Sequence, residues 1–223
     1  MQKDIYIVGA GTYGEVMFEL AELLGYTVKG FYDEDESKLS NKTMGVEIIG
    51  KFSLLNDHEI KNKQFIVAIG NNTIRYNIMT RINQYGGKTP TLIHPKAVLS
   101  PSTEIGNGVY IHANANIWTK VKIGDFCIIS PNVVIAHHSA IGKACLVSTL
   151  CGVGASINVE DKVFIGMGST IVTGLSVIGE NTIIGAGAVV LKNADKNCVY
   201  AGIPAKKLRS LTNDQEIESL ENI

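Results

Sequence analysis

Between residues 93 and 171 the chain repeats itself every six residues. The series runs Ile93, Leu99, Ile105, Ile111, Ile117, Ile123, Ile129, Ile135, Ile141, Val147, Val153, Val159, Ile165, Ile171, and every member is a branched aliphatic. With Ile, Leu and Val at about three in ten residues, chance gives such a run roughly once in ten million trials, so the pattern is a repeat. The phase slips by one residue around "TGLSV" and resumes at Ile178, Ile184 and Val190. Four residues after each aliphatic stands a second, smaller or apolar residue, among them Ala97, Thr103, Ala115, Cys127, Ser139, Cys145 and Cys151. Glycine often follows the aliphatic directly, as at Gly106, Gly124 and Gly142. One large and one small inward position per hexad describes a parallel β-helix: three hexads close a triangular coil and residues 18 apart stack. Seventeen hexads make between five and six coils, a prism roughly 27 Å tall at ~4.8 Å per coil.

Residues 1 to 90 follow a different grammar. "DIYIV" reads as a strand, and Val16, Met17, Leu20, Leu23 and Leu24 then fall at helical spacing. "TVKGFY" is a second strand, closed by the polar "DEDES", and "QFIVAIG" a third, apolar throughout as in a strand buried on both faces. The stretch "NNTIRYNIMTRINQYGG" predicts a helix with Ile74, Ile78 and Ile82 on one face and Gly86 as its stop. The alternation predicts an α/β unit with a small parallel sheet, a half-Rossmann fold. "GAGTYG" at residues 9–14 matches G-x-G-x-x-G between the first strand and helix. A complete dinucleotide fold takes two such halves and about six strands. Ninety residues hold one half, and no second domain for hydride chemistry follows. The glycines then serve a tight turn and a helix N-terminus that attracts an anion.

Several functions are excluded more simply. The formal charge is −1 and no stretch is densely basic, so a nucleic-acid partner is not expected. No apolar run approaches the ~20 residues of a membrane span, and the apolar N-terminal segment is too short for a signal peptide. The protein therefore reads as cytoplasmic, with no membrane partner. Of the four cysteines, Cys127, Cys145, Cys151 and Cys198, none forms C-x-x-C and three fall on the small inward position, as packed core thiols do. His94 and His112 stack 18 apart, but no third ligand has suitable spacing, so no metal is expected.

Five motifs in order, "IVGAGTYGEV", "FYDED", "AIGNNTIRYNI", "VVIAHHSAIG" and "VYAGIPAKKL", cover the chain to about residue 208. Together they resemble the hexapeptide-repeat acyltransferases, whose β-helix coils left-handed. Within these they resemble the sugar acetyltransferases of the sialic-acid O-acetyltransferase and bacillosamine N-acetyltransferase type. The resemblance implies a nucleotide-sugar-binding domain over residues 1–90, a left-handed β-helix acyltransferase domain over 91–208 and a tail over 209–223. It implies acetyl-CoA as co-substrate, a UDP- or dTDP-linked amino sugar as acceptor, and a homotrimer with active sites between subunits. Matching positions assign Gly11, Thr12 and Tyr13 to the phosphates and sugar, Asp33 and Glu34 to base and ribose, and Gly70 with Asn71 to the contact after the third strand.

Acyl transfer from a thioester needs a base for the acceptor's proton, and a neutral imidazole is the usual one near pH 7. By resemblance that base is His137. The family usually follows it with Asp or Glu, where a carboxylate orients the imidazole; here His138 stands there. The family also often has a histidine near the thioester nine residues on; here it is Leu146. For the coenzyme the match carries over Met167 and Gly185, expected 18 apart on one prism edge. Two other functions stay open at this stage: O-acetylation of a sialic-acid-like sugar or glycan, and a catalytically inactive binding protein.

Overall fold

The computed structural model describes residues 3–211. It divides into two compact units, one reaching to Gly70 and including Ile74–Leu92, the other formed by Asn71–Thr73 and the chain from Ile93 onward.

In the first unit β1 (Lys3–Val8), α1 (Thr12–Leu23), β2 (Tyr26–Tyr32), β3 (Lys42–Thr43), β4 (Val46–Gly50), α2 (Asp57–Ile60), β5 (Phe65–Val67) and α3 (Asn72–Gln84) build a sheet of order β3-β4-β2-β1-β5. The pairs β1–β2, β1–β5 and β2–β4 are parallel. The β3–β4 hairpin is antiparallel and was not visible in the hydrophobic pattern. Its turn is Met44–Gly45, both at positive φ, as a two-residue hairpin requires. Helix α1 buries Met17, Phe18, Leu20 and Ala21, and leaves Val16 and Leu23 outside. Phe18 stacks on Phe31 of β2 with centroids 6.2 Å apart.

Helix α3 differs from expectation. Its buried face carries Arg75, Met79 and Ile82, while Ile74 is exposed. Arg75 is the reason: its guanidinium donates to the carbonyls of Ile69 and Gly70, both at 3.0 Å. A buried cation costs too much free energy without such partners, so they turn the helix.

The second unit is the expected parallel β-helix. A six-stranded face carries the two-residue strands from Val98–Leu99 to Val189–Val190, and a five-stranded face those from Glu104–Ile105 to Val177–Ile178. An eight-stranded face begins at Leu92–Ile93 and ends in Cys198–Ala201 and Lys206–Ser210. Coils pair 18 residues apart, Ile129 with Ile111 and Val147. After the extra residue near Leu175 they pair 19 apart, Ile165 with Ile184. The hexad aliphatics from Ile111 to Ile171 are all buried. Ile93, Leu99 and Ile105 are only partly so, since no coil precedes them. The small inward residues satisfy themselves on the next coil. The thiols of Cys127, Cys145 and Cys151 reach the carbonyls of Gly142, Glu160 and Gly166 at 2.9, 3.1 and 3.0 Å, and all four cysteines are free and buried. At Gly142 a side chain would stand 2.6 Å from the Asp161 amide of the coil above, so coil spacing itself selects glycine.

Each corner is made by one residue in the left-handed region, recurring every six from Gly108 through Asn114, Lys120, Phe126, Asn132 and His138 to Gly174. None of these is β-branched, the side-chain type this conformation tolerates least. At the C-terminus, Lys206–Ser210 pairs antiparallel with Cys198–Ala201. The strand crosses the expected start of a tail at 209; the rest of that tail lies outside the described residues. Among the described residues no helix is long and apolar enough to cross a membrane.

Candidate active site

The candidate residues of the first unit sit at the C-terminal ends of β1, β2 and β5, which are neighbours in the sheet. The chain builds outward from β1 to β2 and β4, then returns to the other side of β1 with β5. Such a switch point leaves a crevice at the strands' carboxyl ends.

The three glycines of the fingerprint answer to different constraints. Gly9 has φ +102°, and a Cβ there would lie 2.8 Å from the carbonyl oxygen of Ala68. A Cβ on Gly14 would lie 2.2 Å from the Gly9 oxygen, so this glycine lets α1 pack on the turn. Gly11, the N-cap of α1 at φ −85°, has no atom within 4 Å of a would-be Cβ. Nothing in the fold requires glycine there; space above a helix N-terminus is what an anion would use. The same emptiness surrounds Gly70 after β5. Thr12 is exposed and Tyr13 half-buried. Asn71 groups with the second unit.

Asp33 and Glu34 already have partners in the fold. Asp33 accepts the Ala10 amide at 2.9 Å, the Asp35 amide at 3.0 Å and the Lys38 ammonium at 3.2 Å. Burial alone would raise its pKa; the two amides and Lys38 outweigh that and hold it below the usual carboxylate range. Asp33 thus ties the glycine loop to the end of β2. Glu34 accepts the amide and hydroxyl of Ser53 at 2.9 and 2.7 Å. Each carboxylate keeps spare lone pairs for a ligand.

In the second unit His138 occupies a left-handed corner, φ 61°, between the strands Val134–Ile135 and Ala140–Ile141. Its amide bonds the Thr119 carbonyl one coil below, and the His137 carbonyl takes the Ser156 amide one coil above. Adjacent residues at a corner are expected to send their side chains apart, and here they do not. His137 Nδ1 and His138 Nδ1 are 3.1 Å apart and the rings meet edge to face at 87°. With one proton between them, a donor His137 keeps its Nε2 lone pair free. The two rings help wall an open cavity of about 500 Å³, together with Leu99, Ser100, Trp118 and Thr119. Trp118 lies along His137, centroids 6.3 Å apart and planes at 25°. Trp118 belongs to no motif in the sequence, though stacking the hexads puts it one coil below Ala136, beside the histidine pair.

The coenzyme candidates lie elsewhere on the β-helix. Leu146 is on the eight-stranded face, and Met167 and Gly185 follow strands of that face, at its edge with the six-stranded one. Met167 and Gly185 are not in register. The extra residue near Leu175 pairs Ile165 with Ile184, so Gly185 stacks on Gly166 and Met167 on Ala186. Met167 is exposed. One protomer does not bring these residues to the histidine corner, which lies at the other edge of the six-stranded face. His112 is buried, and that burial, with His94 nearby, pushes its pKa down to about 4. Among the described residues no group of three or more His, Cys, Asp or Glu is placed to hold a metal.

Comparison with known proteins bears on both units. Residues 4–82 match the PglD N-terminal domain and residues 102–137 the bacterial transferase hexapeptide (six repeats). The solved structure of PerB from Caulobacter crescentus, in complex with CoA and GDP-perosamine, is 31% identical with a TM-score of 0.84, over 92% of this chain and 97% of that one. This chain belongs to the hexapeptide-repeat sugar acyltransferases. The acyltransferase is also 29% identical over 188 residues to the GDP-perosamine N-acetyltransferase of Escherichia coli O157:H7, covering 81% of this chain and 82% of that one. It is 28% identical to the acetyltransferase domain of PglB from Neisseria gonorrhoeae in complex with acetyl coenzyme A, with a TM-score of 0.59 over 93% of this chain and all of that one.

Proposed function

We propose that this acyltransferase moves an acetyl group from acetyl-CoA to the amine of a nucleotide-linked amino sugar, with His137 as the general base. The observation that carries the reading is the histidine corner: an imidazole on an open cavity wall, its Nδ1 held by a second imidazole. The acceptor nitrogen bonds to the thioester carbon as His137 Nε2 takes its proton. The C–S bond then breaks, the proton passes to the departing sulfur, and amide and free thiol result. Relatives in complex with CoA and GDP-perosamine support the substrate pair.

In this reading residues 1–90 hold the nucleotide sugar. The space above Gly11 at the start of α1 and above Gly70 suits a diphosphate, with Thr12 and Tyr13 following Gly11 in the chain, spare acceptors on Asp33 and Glu34, and Asn71 kept as a contact on the sequence match alone. Leu146, Met167 and Gly185 serve the coenzyme. Leu146 lies on the eight-stranded face, and Met167 and Gly185 lie at the opposite edge of the six-stranded face from His137, so a complete site needs a second copy, and a cyclic homotrimer provides it without open ends.

The test is release of free coenzyme thiol across a panel of GDP-, UDP- and dTDP-linked amino sugars, with the corresponding hydroxy sugars beside them. Turnover of an amino sugar and none of the hydroxy sugars is the expected outcome. Turnover of the hydroxy sugars alone would replace N-transfer by O-transfer, and none at all would leave a binding protein.

A further inference from the structure

We propose that Trp118 is a positioning residue for the base: its indole holds the His137 ring in place and stabilises the imidazolium formed when the acceptor gives up its proton. The inference rests on the reading of His137 as base. It starts from a half-exposed aromatic at the corner. Trp118 is the only tryptophan in the chain and is 46% exposed, although a buried site would remove more apolar surface from water. Its backbone is held from three sides: its amide donates to the Ile135 carbonyl at 3.0 Å, and its carbonyl accepts the Val121 amide and the Thr103 hydroxyl, both at 3.4 Å. The indole stands on this corner with its plane 25° from that of His137.

The corner needs what an indole face provides. A base that takes a proton during turnover becomes a cation, and most such sites give it a carboxylate. Among the described residues of one protomer, none that lines this cavity is acidic, and the titratable groups there are His137 and His138 themselves. In the same corner column Lys120 stands one coil below His138 and Ser156 one coil above. His138 orients through Nδ1 but carries no negative charge to offset the new positive one. The His137 ring centroid lies 6.3 Å from that of the indole, at the outer limit of the about 6 Å over which a ring's quadrupole attracts a cation. Trp118 and His138 thus divide what one carboxylate would do: His138 holds the ring through Nδ1, and Trp118 meets the charge.

The tryptophan also provides the assay. Imidazolium quenches a neighbouring indole more strongly than neutral imidazole does. As the chain's single tryptophan, Trp118 reports protonation beside it without labelling. Acid titration of the wild-type emission should show a quenching step that His137→Asn abolishes. Kinetically, Trp118→Leu should lower kcat about three- to fivefold with KM for acetyl-CoA and for the sugar nearly unchanged. Trp118→Phe, which keeps a π face, should recover most of that loss. Both variants should fold, since half of the side chain is already in water, and circular dichroism checks it. A Trp118→Leu enzyme whose KM for acetyl-CoA rises at constant kcat would make the indole a wall for the ligand and overturn the proposal. So would a quenching step that survives in His137→Asn. If His137→Asn itself turns over normally, the base assignment fails first; if it is inactive while Trp118→Leu is unimpaired, only the role of Trp118 is lost.

Discussion

His138 serves the backbone and the neighbouring ring at once. Its φ of 61° makes the corner and its Nδ1 meets His137, so the two duties separate by substitution. Asn suits the left-handed region and offers an amide oxygen to His137. Ala holds the same corner position at Ala144 and offers nothing. Steady-state rates should rank wild type, His138→Asn and His138→Ala in that order, with the last reduced by less than about tenfold. His137→Asn should lose about 10²–10⁴-fold in kcat. A silent His137→Asn beside an inactive His138→Ala would exchange the two roles. His112 governs a different property. Its folded pKa of about 4 lies below the ordinary 6.5, so the unfolded chain takes up the proton first as pH falls. The stability it contributes is whole above pH 6.5, declines between 6.5 and 4, and amounts to about 3 kcal/mol at most. Denaturant titrations at pH 7.5 and pH 4.5 should show a smaller loss for His112→Gln than for wild type. Equal losses would mean that His112 is reached by water when charged.

The glycine-rich turn and the helix after it make a separable element. Gly14→Ala puts a methyl 2.2 Å from the Gly9 oxygen, and overpacking of this kind costs about 1–3 kcal/mol. Gly11→Ala meets no atom within 4 Å, at an ordinary φ. The first should lower Tm and the second should not. Gly11→Ala should instead raise KM for the nucleotide sugar while KM for acetyl-CoA stays put, because in the proposed reading the methyl enters only the space that the phosphates would use. A Gly11→Ala protein with unchanged KM for both substrates would take the diphosphate away from this turn. Asp33 belongs to the same element by its bond to the Ala10 amide. Its loss would loosen the loop as well as remove a ligand contact, and for that reason Gly11 is the cleaner probe.

At the scale of the whole molecule the prediction is the trimer. The six-stranded face carries Val98 and Val134 exposed on its outer side, and its two edges carry the histidine corner and the Met167 edge. Light scattering at micromolar concentration should report three copies of a 24.0 kDa chain. Mixing inactive His137→Asn protein with an inactive variant at Gly185 should restore part of the activity, since some sites then combine one intact edge from each. A monomer that turns over at full rate would remove the need for a second copy.

The six-residue period carried the β-helix because each hexad repeats one local rule: an inward aliphatic, a small residue four on, a left-handed corner between. Register 18 residues apart follows from that rule, and Ile111 to Ile171 all lie inside as it requires. The turn at Gly9–Gly14 and the corner position of His138 were legible for the same reason, since turn and corner geometry is set within a few residues. What escaped depends on partners distant in the chain. Arg75 turns α3 because carbonyls at the end of β5 accept its guanidinium. The hairpin of β3 and β4 exists because β2 offers an edge to β4. One added residue near Leu175 moves Met167 out of line with Gly185 and onto Ala186. The approach of His137 to His138 and of Trp118 to His137 is fixed by how one coil stacks on the next, and no local pattern records which way three rings on two coils will turn.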